Sequence, residues 1–215
     1  VSGDKKRVTI NSKVVVEFLG KHRFRHGQAE TENQVGVATG LAYTTVGGDT
    51  LQIEVSITPG KGKLQLTGKL GDVMKESASI ALTYVRSLQE KLQLAADYFD
   101  KHDIHIHVPE GAVPKDGPSA GITMTTAIVS AISGKAIRRE VGMTGEITLR
   151  GRVLPIGGLK EKSLSAHRAG LTTIIIPKDN ERDIDDIPES VRHELTFKLV
   201  STADEVLSAA LDGGF

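Results

Sequence analysis

Pro114-Lys115-Asp116-Gly117-Pro118-Ser119-Ala120-Gly121, running straight into Ile122-Thr123-Met124-Thr125-Thr126-Ala127-Ile128-Val129-Ser130-Ala131-Ile132, is the stretch on which the reading of this chain turns. The apolar run ends at Gly134, a natural C-terminal stop, and Pro118 fixes φ for a first helical turn while Gly117 frees the residue before it. The pattern predicts a buried helix with Ser119 in its opening turn. Unpaired backbone N–H groups and the positive end of the helix dipole gather there and favour negative charge on or near the hydroxyl. Such a place suits a nucleophile. It suits a plain helix cap equally, because serine satisfies an open turn without doing any chemistry.

Around this stretch the composition is that of an ordinary folded domain. The chain of 215 residues is long enough for one good-sized domain and a small appendage. Its 27 basic and 27 acidic residues balance, leaving no global attraction to nucleic acid or to an anionic membrane. The absence of cysteine excludes disulfides, thiolate metal sites and cysteine catalysis, and it agrees with a reducing compartment, the cytoplasm. No apolar run approaches a membrane span and no signal peptide opens the chain. A start at Val1 without an initiator Met is expected of a piece excised from something longer, or of a processed chain.

Upstream, residues 1–33 read as a tail and linker: a short helix, Val14 to Leu19, stopped by Gly20, then a basic cluster from Lys21 to Arg25 and a polar stretch from Gln28. From Val35 the pattern alternates. Val35 to Thr45 and Thr50 to Thr58 predict a hairpin turning at Gly47-Gly48-Asp49, with Leu51, Ile53, Val55 and Ile57 on one face, and Leu64-Gln65-Leu66 continues the sheet. The glycines at 60–62 and 68 lack the GxxxxGK[ST] spacing, which argues against ATP binding within this chain. Asp72 is placed to cap a long helix whose Met74, Ala78, Ala81, Val85, Leu88 and Leu92 form a single stripe. In the strand Ile104 to Val108, His105 and His107 share the face opposite the isoleucines. With His102 nearby, that pair could hold a metal or form a polar face beside Ser119.

Downstream, Thr144 to Leu149 and Val153 to Ile156 flank a reversal at Arg150-Gly151, and Gly157-Gly158 leads into a helix from Leu159 to Ala169. Lys162 shares a face of that helix with Leu159, Ser163, Ala166 and Ala169, so it either snorkels to solvent or has a function. Leu171 to Ile176 is a buried strand, Asp179 to Ile187 a short acidic surface helix, Leu195 to Val200 the last strand, and Ala203 to Leu211 the last helix, capped by Thr202. From Ile104 onward strands and helices alternate, which predicts a mixed α/β fold of layered sheets and packed helices.

A serine hydroxyl is a poor nucleophile until a base removes its proton. Gly117-Pro118-Ser119-Ala120-Gly121 satisfies the five-letter G-x-S-x-G pattern of hydrolase elbows, but that arrangement needs His167 or His193 within a short remaining chain. Asp116 is close but weak. A lysine serves if burial depresses its pKa, and Lys162 is the candidate.

These residues also carry a resemblance. Over Val35 to Leu211 the chain closely resembles the proteolytic domain of the Lon family of ATP-dependent proteases. The resemblance rests on the Pro114 to Gly121 motif, on His105-Ile106-His107-Val108-Pro109-Glu110-Gly111, on Met143-Thr144-Gly145-Glu146-Ile147-Thr148-Leu149-Arg150-Gly151, and on Gly157-Gly158-Leu159-Lys160-Glu161-Lys162. It implies a Ser–Lys dyad with Ser119 as nucleophile and Lys162 as general base, Thr144 hydrogen-bonded to Lys162, and Asp116 as a local electrostatic modulator. Residues 34–215 are then the protease domain. Residues 1–33, with Phe18-Leu19-Gly20-Lys21 and Phe24-Arg25-His26-Gly27, resemble the end of the small helical subdomain of an AAA+ module and its linker. The wording of the motifs is nearest to bacterial forms. The resemblance further implies unfolded or damaged polypeptide as substrate, a homo-hexameric ring in the full-length protein, and ATP and Mg used by an ATPase module outside this chain. It implies no cofactor, metal, nucleic acid or membrane for the chain itself.

Overall fold

A computed structural model describes residues 9–20, 32–44, 47–109 and 115–215. The basic cluster from Lys21 to Arg25, most of the polar stretch after it, Glu110-Gly111 and Pro114 lie outside the described residues. The short helix α1 (Ser12–Leu19) opens on Asn11, whose Oδ1 accepts from the N–H groups of Lys13 and Val14 at 3.1 Å. The alternating stretch beyond it folds as β1 (Val37–Thr44) and β2 (Gly47–Pro59), antiparallel from Val37↔Glu54 to Thr44↔Gly47. Gly47 to Asp49 are therefore strand residues and not the expected turn, and positions 45–46 lie outside the described residues.

Next come β3 (Leu64–Thr67), α2 (Asp72–Ser87), α3 (Tyr98–Lys101) and β4 (His102–His107). Helix α2 departs from expectation at both ends. Its N-cap is Gly71, which has no side chain to offer, while Asp72 lies in the first turn and pairs with Lys75 at 3.0 Å. It also stops at Ser87, whose hydroxyl donates to the Tyr84 carbonyl at 2.6 Å and takes up an acceptor of the last turn. Leu88 and Leu92 keep their contact with the core from the irregular chain beyond.

A 3₁₀ turn (Pro118–Ala120) then runs into α4 (Gly121–Ser133), followed by β5 (Val141–Met143), β6 (Glu146–Ile147), β7 (Val153–Leu154), α5 (Leu159–Arg168), β8 (Thr173–Pro177), a 3₁₀ segment (Lys178–Asp186), α6 (Glu189–Arg192), β9 (Thr196–Val200) and α7 (Ala203–Ala210). Seven strands form one mixed sheet in the order β3-β4-β2-β1-β5-β8-β9, and β6 and β7 form a separate hairpin. Strands β1, β5, β8 and β9 run parallel. The hairpin strands are shorter than their alternation suggests, because Thr148 and Arg152 already close the reversal through the Thr148 N–H to Arg152 carbonyl bond at 3.0 Å. The acidic segment is a 3₁₀ helix rather than an α-helix, and one of its residues, Asn180, is buried.

The sheet is covered on two faces. On one, α2, α4 and α7 pack with Ile53, Ile106, Met143 and Ile175; on the other, α5 and α6 pack with Leu41, Ile174 and Ile176. Strand β8 is thus apolar on both sides, as a central parallel strand must be. Helix α4 is buried all round from Gly121 to Ser130, and its Thr125 and Thr126 hydroxyls donate to the Gly121 and Ile122 carbonyls at 2.9 and 2.8 Å. A helix with no solvated side is a core helix, so its N-terminal turn is held rigidly. Within the described residues no helix is long and apolar enough to cross a membrane.

Candidate active site

The site forms at the carboxyl ends of β1 and β5, where a parallel sheet opens into a crevice. Gly117 takes φ +124°, a conformation that L side chains rarely adopt, and so lets the chain double into the Pro118–Ala120 turn. Ser119 therefore stands one turn ahead of α4 proper. Its carbonyl accepts from the Gly145 N–H at 2.8 Å, and the Gly145 carbonyl accepts from the Ile122 N–H at 3.1 Å. This reciprocal pair locks the serine peptide to the segment just beyond β5. Among the described residues nothing accepts from the Ser119 N–H, which leaves a donor open at the positive end of the helix.

Lys162 comes from the opposite face of the sheet. Helix α5 lies on β2 and β1 with Leu159, Lys162, Ser163, Ser165 and Ala166 buried. Lys162 is only 3% exposed, and its Nζ lies 3.2 Å from Ser119 Oγ and 3.0 Å from Thr144 Oγ1. Both partners are neutral hydroxyls. Burial without a carboxylate partner disfavours the ammonium and lowers the Lys162 pKa from 10.5 to about 8. Thr144 is fully buried just past the end of β5, where its N–H donates to the Ile175 carbonyl at 3.1 Å. Its hydroxyl accepts from Lys162 and donates to the Ser119 carbonyl at 3.5 Å. One threonine thereby sets the distance between the amine and the serine.

Asp116 is near this cluster but does not touch it. Its Oδ1 accepts from the Met74 N–H and from the Gly117 N–H, each at 2.9 Å. It supplies the cap that Gly71 cannot and ties the start of α2 to the serine turn. The backbone repeats the link, with the Gly71 N–H donating to the Lys115 carbonyl at 2.7 Å.

A cavity of about 640 Å³ opens over Ser119 and Lys162. Its walls are the end of β1 (Gly40 to Thr44), the start of β2, Met74 of α2, and the segment Pro155-Ile156-Gly157-Gly158. The sequence gives no sign that Leu41, Tyr43, Met74 and the segment 155–158 meet here, since nothing local distinguishes a residue that lines a cavity from one that fills a core.

The histidines lie elsewhere. His105 and His107 open on a separate depression with Gln34, Val37, Glu54 and Ser56, and both rings contact the Thr67 hydroxyl, at 2.9 and 2.7 Å. They do not line the cavity over Ser119, contrary to the expectation of a shared polar face, because β4 is separated from β1 by the whole of β2. Among the described residues no group of three or more His, Cys, Asp or Glu could hold a metal ion. His167 pairs with Glu194 at 2.7 Å and His193 with Glu189 at 3.3 Å, both outside the cavity.

The sequence comparisons place the chain among proteolytic domains. Residues 9–213 match the Lon protease (S16) C-terminal proteolytic domain, and the chain belongs to that family. It is 72% identical over 213 residues to Lon protease 1 of Bacillus subtilis (strain 168), 69% identical over 213 residues to Lon protease of Bacillus thuringiensis (strain Al Hakam), and 66% identical over 211 residues to Lon protease of Brevibacillus choshinensis. These alignments cover 99%, 99% and 98% of this chain but only 28%, 27% and 27% of the relatives. The chain thus spans little more than a quarter of their length.

Proposed function

We propose that this chain is a serine endopeptidase that hydrolyses peptide bonds with a Ser119–Lys162 dyad. The observation that carries the reading is the buried Lys162 amine, 3.2 Å from the Ser119 hydroxyl and held by Thr144 at 3.0 Å. A lysine with a pKa of about 8 has an appreciable neutral fraction near physiological pH. Its lone pair takes the Ser119 proton while one of its N–H groups stays on Thr144. The serine oxygen attacks the peptide carbonyl, and the open Ser119 N–H at the helix start is a donor for the oxyanion. The Lys162 ammonium then protonates the leaving amine, which departs, and the acyl-enzyme is hydrolysed by a water that gives its proton to the same lysine. The cycle closes with both side chains restored.

The cavity, open and lined by strand ends, suits an extended chain, so the substrate class is unfolded or damaged polypeptide. In the full-length protein we place this domain in a homo-hexamer in the cytoplasm, fed by an ATPase module that uses ATP and Mg; residues 1–33 are the end of that module's helical subdomain and its linker. The chain itself needs no cofactor.

The test is the pH dependence of hydrolysis of an unstructured fluorogenic peptide without ATP. Activity rises through a pKa near 8 in the parent, is abolished in Ser119→Ala, and falls by roughly a thousandfold or more in Lys162→Ala, as for groups that act as a unit. Near-parental rates in either variant would sink the dyad. Loss in His167→Ala or His193→Ala with Lys162→Ala active would instead indicate a histidine base.

A further inference from the structure

The segment Lys178–Asp186 is a charged surface helix with one buried residue. Asn180 is 3% exposed, while Lys178, Asp179, Glu181 and Arg182 around it are open to solvent. Its side chain is fully committed. Oδ1 accepts from the Ile156 N–H at 2.9 Å, and Nδ2 donates to the Ile156 carbonyl at 2.8 Å and to Asp183 Oδ2 at 2.6 Å. An amide that engages both backbone groups of one residue does for Ile156 what a neighbouring strand would do. It does so where β7 has ended and, among the described residues, no strand is paired with the chain.

Ile156 belongs to the wall of the cavity over Ser119, and the two glycines after it have no side chains with which to hold the wall in place. Gly157 has open space where a side chain would stand, and a Cβ at Gly158 would stand 3.0 Å from the Tyr43 side chain. The wall also continues into the catalytic helix, since the Gly158 carbonyl accepts from the Lys162 N–H at 3.0 Å. Anchoring Ile156 spares the bound state the cost of ordering two glycines, a cost that otherwise subtracts from affinity.

We infer that Asn180 is a positioning residue for substrate: its side-chain amide fixes Pro155 to Gly158 as one wall of the cavity and so sets how tightly an extended polypeptide is held. The inference rests on the reading of this cavity as a polypeptide site. It does not require Asn180 to take part in the chemistry.

The experiment measures binding apart from catalysis. A fluorescein-labelled unstructured peptide is titrated by anisotropy against the 215-residue chain carrying Ser119→Ala, and against the same chain carrying Asn180→Ala in addition. Loss of the paired hydrogen bonds is expected to weaken binding by roughly tenfold. With Ser119 restored, Asn180→Ala is expected to raise KM by a similar factor, with kcat within about threefold of the parent and the midpoint of the pH profile unmoved. Asn180→Asp has nearly the same shape, keeps the acceptor and loses the donor, and falls between the two; it carries the comparison if the alanine variant does not fold. Unchanged affinity in a folded variant, or a kcat loss exceeding the KM change, overturns the inference. If Ser119→Ala still cleaves the peptide, the Ser–Lys reading fails instead, and the affinity comparison is then made at a temperature where cleavage is slow.

Discussion

The Glu161 carbonyl of α5 lies so close to Gly48 of β2 that a Cβ at Gly48 would stand 1.9 Å from its oxygen. The same glycine is held from a second direction, since Arg168 Nη2 donates to its carbonyl at 2.9 Å. Only a bare strand position lets α5 descend far enough to present Lys162 to Ser119. Gly48→Ala must push the helix outward. Backbone clashes of this kind cost about 1–3 kcal/mol in stability, and on the proposed dyad reading displacement of Lys162 by a fraction of its hydrogen-bond length is expected to lower kcat by at least tenfold. Peptidase assays with a thermal melt on the same preparation check both effects. A folded Gly48→Ala with parental kcat would show that α5 does not need this close approach.

Thr144 separates geometry from chemistry. Its hydroxyl bridges Lys162 and the Ser119 carbonyl without standing where a substrate bond breaks. Thr144→Val keeps the shape and removes the bridge, and hydrogen bonds to a charged group contribute about 1.5–3 kcal/mol. The expected loss is about one to two orders of magnitude in kcat with KM little changed, and Thr144→Ser should recover most of it. A valine variant as active as the parent would show that packing alone orients the amine.

How much of this is legible in the sequence depends on whether the signal is local. The Ser119 turn is, because Gly117, Pro118 and the apolar run specify a helix start within a few residues. The face of α5 that buries Lys162 is legible from its spacing. That the two meet is not, since they lie 43 positions apart and only the closing of α4 and α5 over the ends of β1 and β5 joins them. Asp116 illustrates the same limit. Its partner, Met74, is 42 positions upstream, so the spacing points to Asp72 as the cap of α2, the nearest residue of the right type. Asn180 is lost in an acidic run whose composition reads as surface, and Gly48 reads as a turn because glycine signals a turn and a close approach alike.

Asp116 should act on stability and on the Ser119 turn together. Removing a helix cap costs about 1 kcal/mol, or about 2–4 °C in Tm for a domain of this size. Asp116→Ala is expected to show that loss and a fall in activity, because the same oxygen holds the Gly117 N–H. Asp116→Asn preserves an acceptor at both N–H groups and should keep most of the stability. Equal melting temperatures for all three chains would remove the capping role.

Ser163, next to Lys162 in sequence, carries the opposite expectation for stability. Its Oγ is buried with no hydrogen-bond partner among the described residues. An unsatisfied hydroxyl has a desolvation cost, so Ser163→Ala is expected to be neutral or to stabilise by up to about 1 kcal/mol in urea unfolding. Destabilisation would reveal a partner such as a buried water.

Lys162 should leave a mark on stability as well as on rate. Its pKa is about 8 in the fold against 10.5 for the free side chain. Between those two values the unfolded chain binds a proton that the folded chain has released, so stability rises with pH across that window. Below it both states are charged, and the folded one bears the full cost of a buried ammonium, on the order of 3 kcal/mol. Above it both are neutral and the cost is gone. Lys162→Met removes the charge and keeps the bulk, although it leaves Thr144 without its donor. It is therefore expected to be more stable than the parent near pH 7 and to lose that advantage as pH rises past 10. Urea midpoints for both chains across this range decide the matter. A constant difference would mean that Lys162 titrates alike in both states, and the argument for a neutral base near physiological pH would fall with it.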